Sequence, residues 1–234
     1  AGVEHARSLG IPVIVTDHHL PGDTLPAAEA IINPNLRDCN FPSKSLAGVG
    51  VAFYLMLALR TFLRDQGWFD ERGIAIPNLA ELLDLVALGT VADVVPLDAN
   101  NRILTWQGMS RIRAGKCRPG IKALLEVANR DPQKLAASDL GFALGPRLNA
   151  AGRLDDMSVG VALLLCDNIG EARVLANELD ALNQTRKEIE QGMQVEALTL
   201  CEKLERSRDT LPGGLAMYHP EWHQGVVGIL ASRI

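Results

Sequence analysis

Four stretches of this sequence combine residue types that could do chemistry. Thr16-Asp17-His18-His19 follows the β-branched run Ile11–Val15 without a break. In open parallel sheets ligands gather at the carboxyl ends of strands, so one carboxylate and two imidazoles placed there suit a metal or phosphate site. Side chains alternate along extended backbone, so His18 and His19 need not play the same part, and one can ligate a metal while the other faces a substrate. Asp93 lies inside the apolar run Leu85–Leu97. A carboxylate buried there needs a partner, and both a divalent cation and a helix N-terminus would serve. Gly145–Arg153 joins glycines, which allow close backbone approach, to Arg147, Asn149 and Arg153, which offer fork-shaped donors to phosphate oxygens. A tight turn carrying surface arginines fits the same residues. His219 and Trp222–Gly228 form a loop opening a helix, where amides could meet an anion, or a plain turn and cap.

The elements that must position these groups are mostly helical. Gly2–Leu9 reads as a short helix and Ile11–Val15 as a buried parallel strand. Ala30–Ile32 is a second, shorter strand. Helices are expected at Leu46–Leu63, at Leu79–Val91 behind an Asn78 cap, at Arg102–Arg113, at Ile121–Ala128, at Asp139–Leu144 behind Ser138, and at Val159–Leu165. Asn168-x-x-Glu171 has the form of a capping box. It opens one helical pattern running from Ile169 to about Arg206, whose thirty-odd residues span roughly 55 Å. Its single apolar stripe includes Leu175, Leu179, Leu182, Ile189, Met193, Leu200 and Leu204, and suits a strut between domains better than a coiled coil. Gly192 is a weak point in it. Asp209–Gly214 breaks the pattern, Leu215–Tyr218 restarts as a strand, and Val226–Ile234 is helical. Two strands are too few for a covered parallel sheet, so the remaining strands are expected before Ala1.

Composition narrows the class. The 234 residues carry a net charge of -5, with 47% hydrophobic and 22% charged side chains. That describes a globular chain and excludes disordered, collagen-like and purely coiled-coil classes. The longest apolar stretch, Leu46–Leu59, is short of the ~18 residues a membrane span needs. No basic, apolar leader opens the chain, which argues against secretion. Cys39, Cys117, Cys166 and Cys201 form no CxxC pair and read as free thiols in a reducing cytoplasm. Charge is uneven. Residues 101–153 hold 10 basic and 3 acidic side chains, against 6 and 12 in residues 1–100 and 7 and 13 in residues 154–234. A basic middle inside an acidic chain suits a polyanion.

Five phrases occur together in order: Thr16–His19, Leu46–Ala52, Ala87–Leu97, Gly145–Leu154 and His223–Arg233. On them the chain resembles the DHH phosphoesterases, and most closely the branch that degrades single-stranded DNA. The resemblance implies an α/β fold: a truncated parallel-sheet DHH domain with a helical part over residues 1–167, a connecting helix over 168–207, and the start of a DHHA1-type domain over 214–234. It implies a 5′-to-3′ exonuclease of DNA repair and recombination with two Mn²⁺ or Mg²⁺ ions. His18 and Asp93 would be metal ligands, His19 would contact the scissile phosphate, and Asp17 would orient the histidines. Arg147, Asn149 and Arg153 would hold the DNA backbone. Mixed imidazole and carboxylate ligands lean towards Mn²⁺. Implied partners are single-stranded DNA, a single-strand-binding protein and a helicase, with a cytoplasmic monomer and no membrane. The family's earlier aspartate motifs should precede Ala1, so this stretch alone is expected to bind metal weakly and cleave nothing. Two other readings are a phosphodiesterase for oligonucleotides or cyclic dinucleotides, disfavoured by the long strut, and a non-catalytic replication scaffold, disfavoured by intact Asp17, His18, His19 and Asp93.

Overall fold

The computed structural model describes residues 1–207 and 213–234, which fall into two compact units, Ala1–Gly145 and Pro146–Ile234. The expected break at Asp209–Gly214 lies largely outside the described residues, and so does the side chain of Leu204 in the expected stripe. No helix among the described residues is long and apolar enough to cross a membrane.

In the first unit, α1 (Gly2–Ser8) leads into β1 (Ile14–Thr16), which pairs in parallel with β2 (Ala30–Ile32). The register sets Ile14 against Ala30 and Thr16 against Ile32. The expected parallel pairing is present, but the strand is not buried: Ile11 and Ile14 are 52% and 64% exposed. With two strands among the described residues, the apolar run has no layer on that face to bury against.

The helices follow: α2 (Gly48–Asp65), α3 (Trp68–Arg72), a 3₁₀ turn (Leu79–Leu82), α4 (Leu83–Ala92), α5 (Ala99–Arg113) and α6 (Pro119–Val127). Asn78 caps the 3₁₀ turn as expected, accepting from the Ala80 amide. Asp98 caps α5 by accepting from the Asn101 amide at 2.9 Å, so that helix starts three residues before the expected Arg102. Pro119 opens α6, where its missing N–H costs nothing. The core gathers Leu46, Val51, Phe53, Leu79, Val86 and Leu104 around α4, each worth about 1.5–3 kcal/mol of burial. A helix apolar on all faces belongs inside, and Val86, Ala87, Leu88 and Thr90 of α4 are all buried.

Close packing holds α4 in place. A Cβ on Gly89 would lie 2.7 Å from Val49 Cγ1 of α2, and one on Gly108 of α5 would lie 2.0 Å from the Leu83 carbonyl oxygen. Only glycine permits these approaches. At the N-terminal end of α4, Asp84 is buried and its Oδ2 accepts from the Arg118 amide at 2.9 Å, with the Arg118 Nε at 3.3 Å. The buried acid of this segment is therefore Asp84. Asp93 sits at the C-cap of α4 with its side chain 41% exposed, which also excludes an N-cap role.

Ala137–Leu154 runs as α7 (Ala137–Asp139), a π-helical turn (Leu140–Leu144) and α8 (Gly145–Leu154). Two expectations are corrected here. Ser138 is not the cap; Asp139 Oδ2 instead accepts from the Ala136 amide at 2.8 Å. The phrase Gly145–Arg153 is helical rather than a turn, because Leu148, Ala150 and Ala151 give it a face to bury.

In the second unit, α9 (Ser158–Leu165) is followed by α10 (Ile169–Ser207), 39 residues continuous through Gly192. Asn168 Oδ1 accepts from the Gly170 and Glu171 amides at its start. Midway, Asn183, Arg186 and Glu190 are buried together: Arg186 bonds Asn183 and Glu190, and Arg233 Nε reaches Glu190 Oε1 at 2.6 Å. Leu215–Tyr218 is irregular, not a strand, since no partner strand among the described residues supplies a ladder. The chain ends in α11 (Val227–Ala231), shorter than expected; Val226 and Leu230 pack on Met193 and Ala197.

Candidate functional site

The end of β1 turns sharply because Asp17 bonds to its own neighbours. The Asp17 amide still donates to the Ile32 carbonyl at 3.0 Å, extending the β1–β2 ladder by one bond. Its Oδ1 accepts from the His18 amide at 2.7 Å, from the His19 amide at 3.2 Å and from His19 Nδ1 at 2.7 Å. The His19 side-chain bond, followed by the two amides, holds the Asp17 carboxyl below its ordinary pKa. Asp17 thus orients the ring of His19, while for His18 it fixes the backbone. Paired through Nδ1, the His19 ring, 75% exposed, has Nε2 left for another partner.

Two residues that sequence reading missed clamp the same turn. Asn35 Nδ2 donates to the His18 carbonyl at 2.7 Å, and Asn33 Nδ2 to the His19 carbonyl at 2.8 Å. Asn33 Oδ1 also accepts from the Asn35 amide at 2.9 Å. The signal available was Asn33-Pro34-Asn35 directly after β2, a polar run at the same sheet end as the histidines.

The His18 side chain is only 17% exposed and points to the C-cap of α4, where its Nε2 lies 3.3 Å from Asp93 Oδ2. The start of α2 closes the other side: a Cβ on Gly48 would sit 3.5 Å from His18 Cδ2. The rings of His18 and His19 have centroids 4.2 Å apart. Residues far apart in sequence, His18 and Asp93, are therefore brought into direct contact, with Asp17 and His19 beside them. No group of three or more His, Cys, Asp or Glu suited to a metal occurs among the described residues.

In the second unit the three expected phosphate-binding residues divide. Asn149 and Arg153 are four apart on α8 and both exposed, so they share a face. Arg147 lies on another face, its Nε donating to Asp180 Oδ1 of α10 at 2.7 Å. Arg153 Nη1 donates to the Gly225 carbonyl at 3.0 Å, and a Cβ on Gly225 would lie 2.2 Å from the Arg153 carbonyl oxygen. The loop before α11 thus lies flat on the end of α8. Within it His223 Nδ1 accepts from the Gly225 amide at 3.1 Å, and His219 Nδ1 from the Glu221 amide at 3.3 Å.

The site is thus a strand-end Asp-His-His turn that meets a carboxylate carried at the C-cap of α4. Residues 1–90 of the chain match the DHH family, N-terminal domain. Its relatives are more particular. Over all 234 residues it is 99% identical to the single-stranded-DNA-specific exonuclease RecJ of Escherichia coli (strain K12), covering 41% of that protein. It is 36% identical over 228 residues to RecJ of Thermus thermophilus, spanning 96% of this chain and 30% of that protein. Among solved structures it resembles exonuclease RecJ bound to manganese, with a TM-score of 0.77, 35% identity, and 99% of this chain covering 54% of that one. It also resembles Thermus thermophilus RecJ in complex with Mg²⁺, with a TM-score of 0.71, 35% identity, and 96% of this chain covering 31% of that one. The chain spans about two-fifths of the length of the E. coli relative.

Proposed function

We propose that this chain forms part of a divalent-metal-dependent exonuclease that hydrolyses single-stranded DNA in the 5′-to-3′ direction. The observation that carries the reading is the 3.3 Å approach of His18 Nε2 to Asp93 Oδ2 at the end of a parallel strand. That separation is about the spacing of two neighbouring ligands on one cation bound at ~2.1 Å. The donor set fits the group too: one imidazole and one carboxylate suit Mn²⁺ and are acceptable to Mg²⁺, the ions held by the solved relatives. His18 and Asp93 would supply two of the ligands. When bound, such ions polarise a phosphodiester and lower the pKa of water.

The chain's own residues would do the rest. Asp17 keeps His19 in one orientation through Nδ1, so His19 Nε2 would contact a phosphate oxygen of the substrate. Asn33 and Asn35, by holding the carbonyls of the two histidines, would keep both rings from swinging away. Asn149 and Arg153 present one exposed polar face of α8 that would follow a sugar–phosphate backbone, whereas Arg147 acts first as the partner of Asp180. The basic surplus of residues 101–153 favours a polyanion over a small neutral substrate. We further propose a cytoplasmic monomer serving DNA repair and recombination, with a single-strand-binding protein and a helicase as partners.

The test is release of nucleotides from end-labelled single strands with Mn²⁺, using the protein at its natural length. His18→Ala and Asp93→Ala should each lower turnover at least about a hundredfold while binding to single strands in EDTA stays within about threefold. Release from the 3′ end, or turnover that survives both substitutions, would overturn the reading.

A further inference from the structure

Asn101 has no exposed surface, so its amide must find its hydrogen-bond partners inside the protein. Both hydrogens of Nδ2 are used. Nδ2 donates to the Ser45 carbonyl at 2.7 Å and to the Pro96 carbonyl at 2.9 Å. Its Oδ1 has no partner among the described residues. Asn101 is the third residue of α5, a position from which a capping side chain turns its oxygen back to the amide of the cap residue. Here the Asp98 amide donates to the Pro96 carbonyl instead, and Asn101 turns its nitrogen to two segments outside its own helix. A buried amide that leaves its acceptor bare is held there by its donors.

Those two segments lead to the two groups that close on His18. Ser45 lies three residues before Gly48, where an added Cβ would sit 3.5 Å from His18 Cδ2. Leu46 and Ala47 between them are buried, so a shift at Ser45 is passed on to Gly48. Pro96 lies three residues after Asp93, whose Oδ2 is 3.3 Å from His18 Nε2. This second stretch has little of its own to hold it. Residues 95–98 form neither helix nor strand, and Val94 is 84% exposed with φ at 59°. That conformation is strained for a β-branched residue and persists only where its surroundings impose it. The bond from Asn101 to Pro96 is such a constraint. Two further bonds brace the same junction: Ser43 Oγ donates to Asp98 Oδ2 at 2.7 Å, and the Tyr54 hydroxyl of α2 donates to Asn100 Oδ1.

Resting on the reading of His18 and Asp93 as metal ligands, we propose that Asn101 is a positioning residue that sets the spacing of this pair. It does so by tying the segment before α2 and the segment after α4 to the start of α5. Being fully buried, it touches neither an ion nor DNA. If the two segments part, the imidazole and the carboxylate part with them, and a loosened pair of ligands holds a cation less well.

The test is calorimetric titration of Mn²⁺ into the protein at its natural length, beside turnover of end-labelled single strands at rising Mn²⁺ concentration. Asn101→Leu keeps the volume and removes both donors. It should weaken Mn²⁺ affinity about ten- to a hundredfold and raise the Mn²⁺ concentration for half-maximal turnover by the same factor. Leu104→Ala, a core truncation one turn further along α5, measures the effect of lost stability alone. It should lower the melting temperature at least as far while keeping Mn²⁺ affinity within about twofold. Should Asn101→Leu fail to fold, Ser43→Ala decides, because it cuts the same loop from Asp98 by one bond and should weaken affinity roughly two- to tenfold. Unchanged affinity in the variant that decides, or an equal loss in Leu104→Ala, overturns the positioning role and leaves the metal-ligand reading standing. If the unaltered protein binds Mn²⁺ no better than His18→Ala does, the ligand reading fails and the proposal falls with it.

Discussion

Gly108→Ala asks whether the site depends on how tightly α4 is wedged. The added Cβ would lie 2.0 Å from the Leu83 carbonyl oxygen and 2.5 Å from the Ala87 Cβ. Carbon atoms in contact need about 3.5–4.0 Å, so α4 and α5 must part by roughly 1 Å or more. Both obstacles belong to α4, and its opposite side is pinned by Val49 against Gly89, so the strain has no soft outlet. Overpacking of this kind costs about 1–3 kcal/mol or more, and the helix regains only about 0.5–1 kcal/mol from losing a glycine. The net loss should be about 1–2 kcal/mol, or roughly 2–8 °C in melting temperature for a unit of this size. Because Asp93 ends the displaced helix, divalent-ion-dependent turnover should fall further than stability does, by up to about a hundredfold for a 1 Å misplacement. Thermal denaturation followed by circular dichroism, with nuclease rates of the protein at its natural length measured well below the transition, checks both. The matched control is Gly192→Ala, where nothing lies within 4 Å of the new methyl, and which should stabilise by about 0.5–1 kcal/mol. A Gly108→Ala protein as stable as the parent would refute the close approach of α4 and α5.

Other tests reach the supports of the site. Asp84→Ala leaves the Arg118 guanidinium without its buried carboxylate and should cost about 3–5 kcal/mol in urea denaturation; a loss under about 1 kcal/mol would mean the pair is solvated. Asn33→Ala frees the His19 carbonyl and should weaken divalent-ion affinity about tenfold, read by calorimetric titration; unchanged affinity would show that the turn holds without it. Burial, and then the nearby Asp84 charge, push the Cys117 thiol above its ordinary pKa. Its thiolate is therefore scarcer at a pH of about 8.5, and iodoacetamide should modify Cys117 more slowly than a cysteine in an unfolded peptide, the gap closing as pH rises. Equal rates at that pH would contradict the shift.

How much of this was legible depended on whether a signal was local. Ala30–Ile32 and the start of α10 were readable because β-branched runs and an Asn cap act over a few residues. The position of Asp17-His18-His19 after a strand was readable for the same reason. What escaped was tertiary. An acid inside an apolar run draws attention, but sequence cannot tell which acid the packing covers; Asp84 found Arg118, 34 residues away, and Asp93 stayed at the surface. Asn33 and Asn35 escaped because their acceptors are backbone carbonyls, which every residue has. A tight turn fitted Gly145–Arg153 because two glycines and a proline are visible in sequence, whereas the buried face that makes it a helix is revealed only by folding.

The polar knot halfway along α10 has a mechanical corollary. Glu190 takes one cation from its own helix and another from Arg233, just past α11. Turning α10 about its long axis by even a quarter would keep Arg186 on Glu190 but pull that buried carboxylate away from Arg233. The pair with Arg233 therefore opposes a spin of the rod at the point where the segment after α11 meets it.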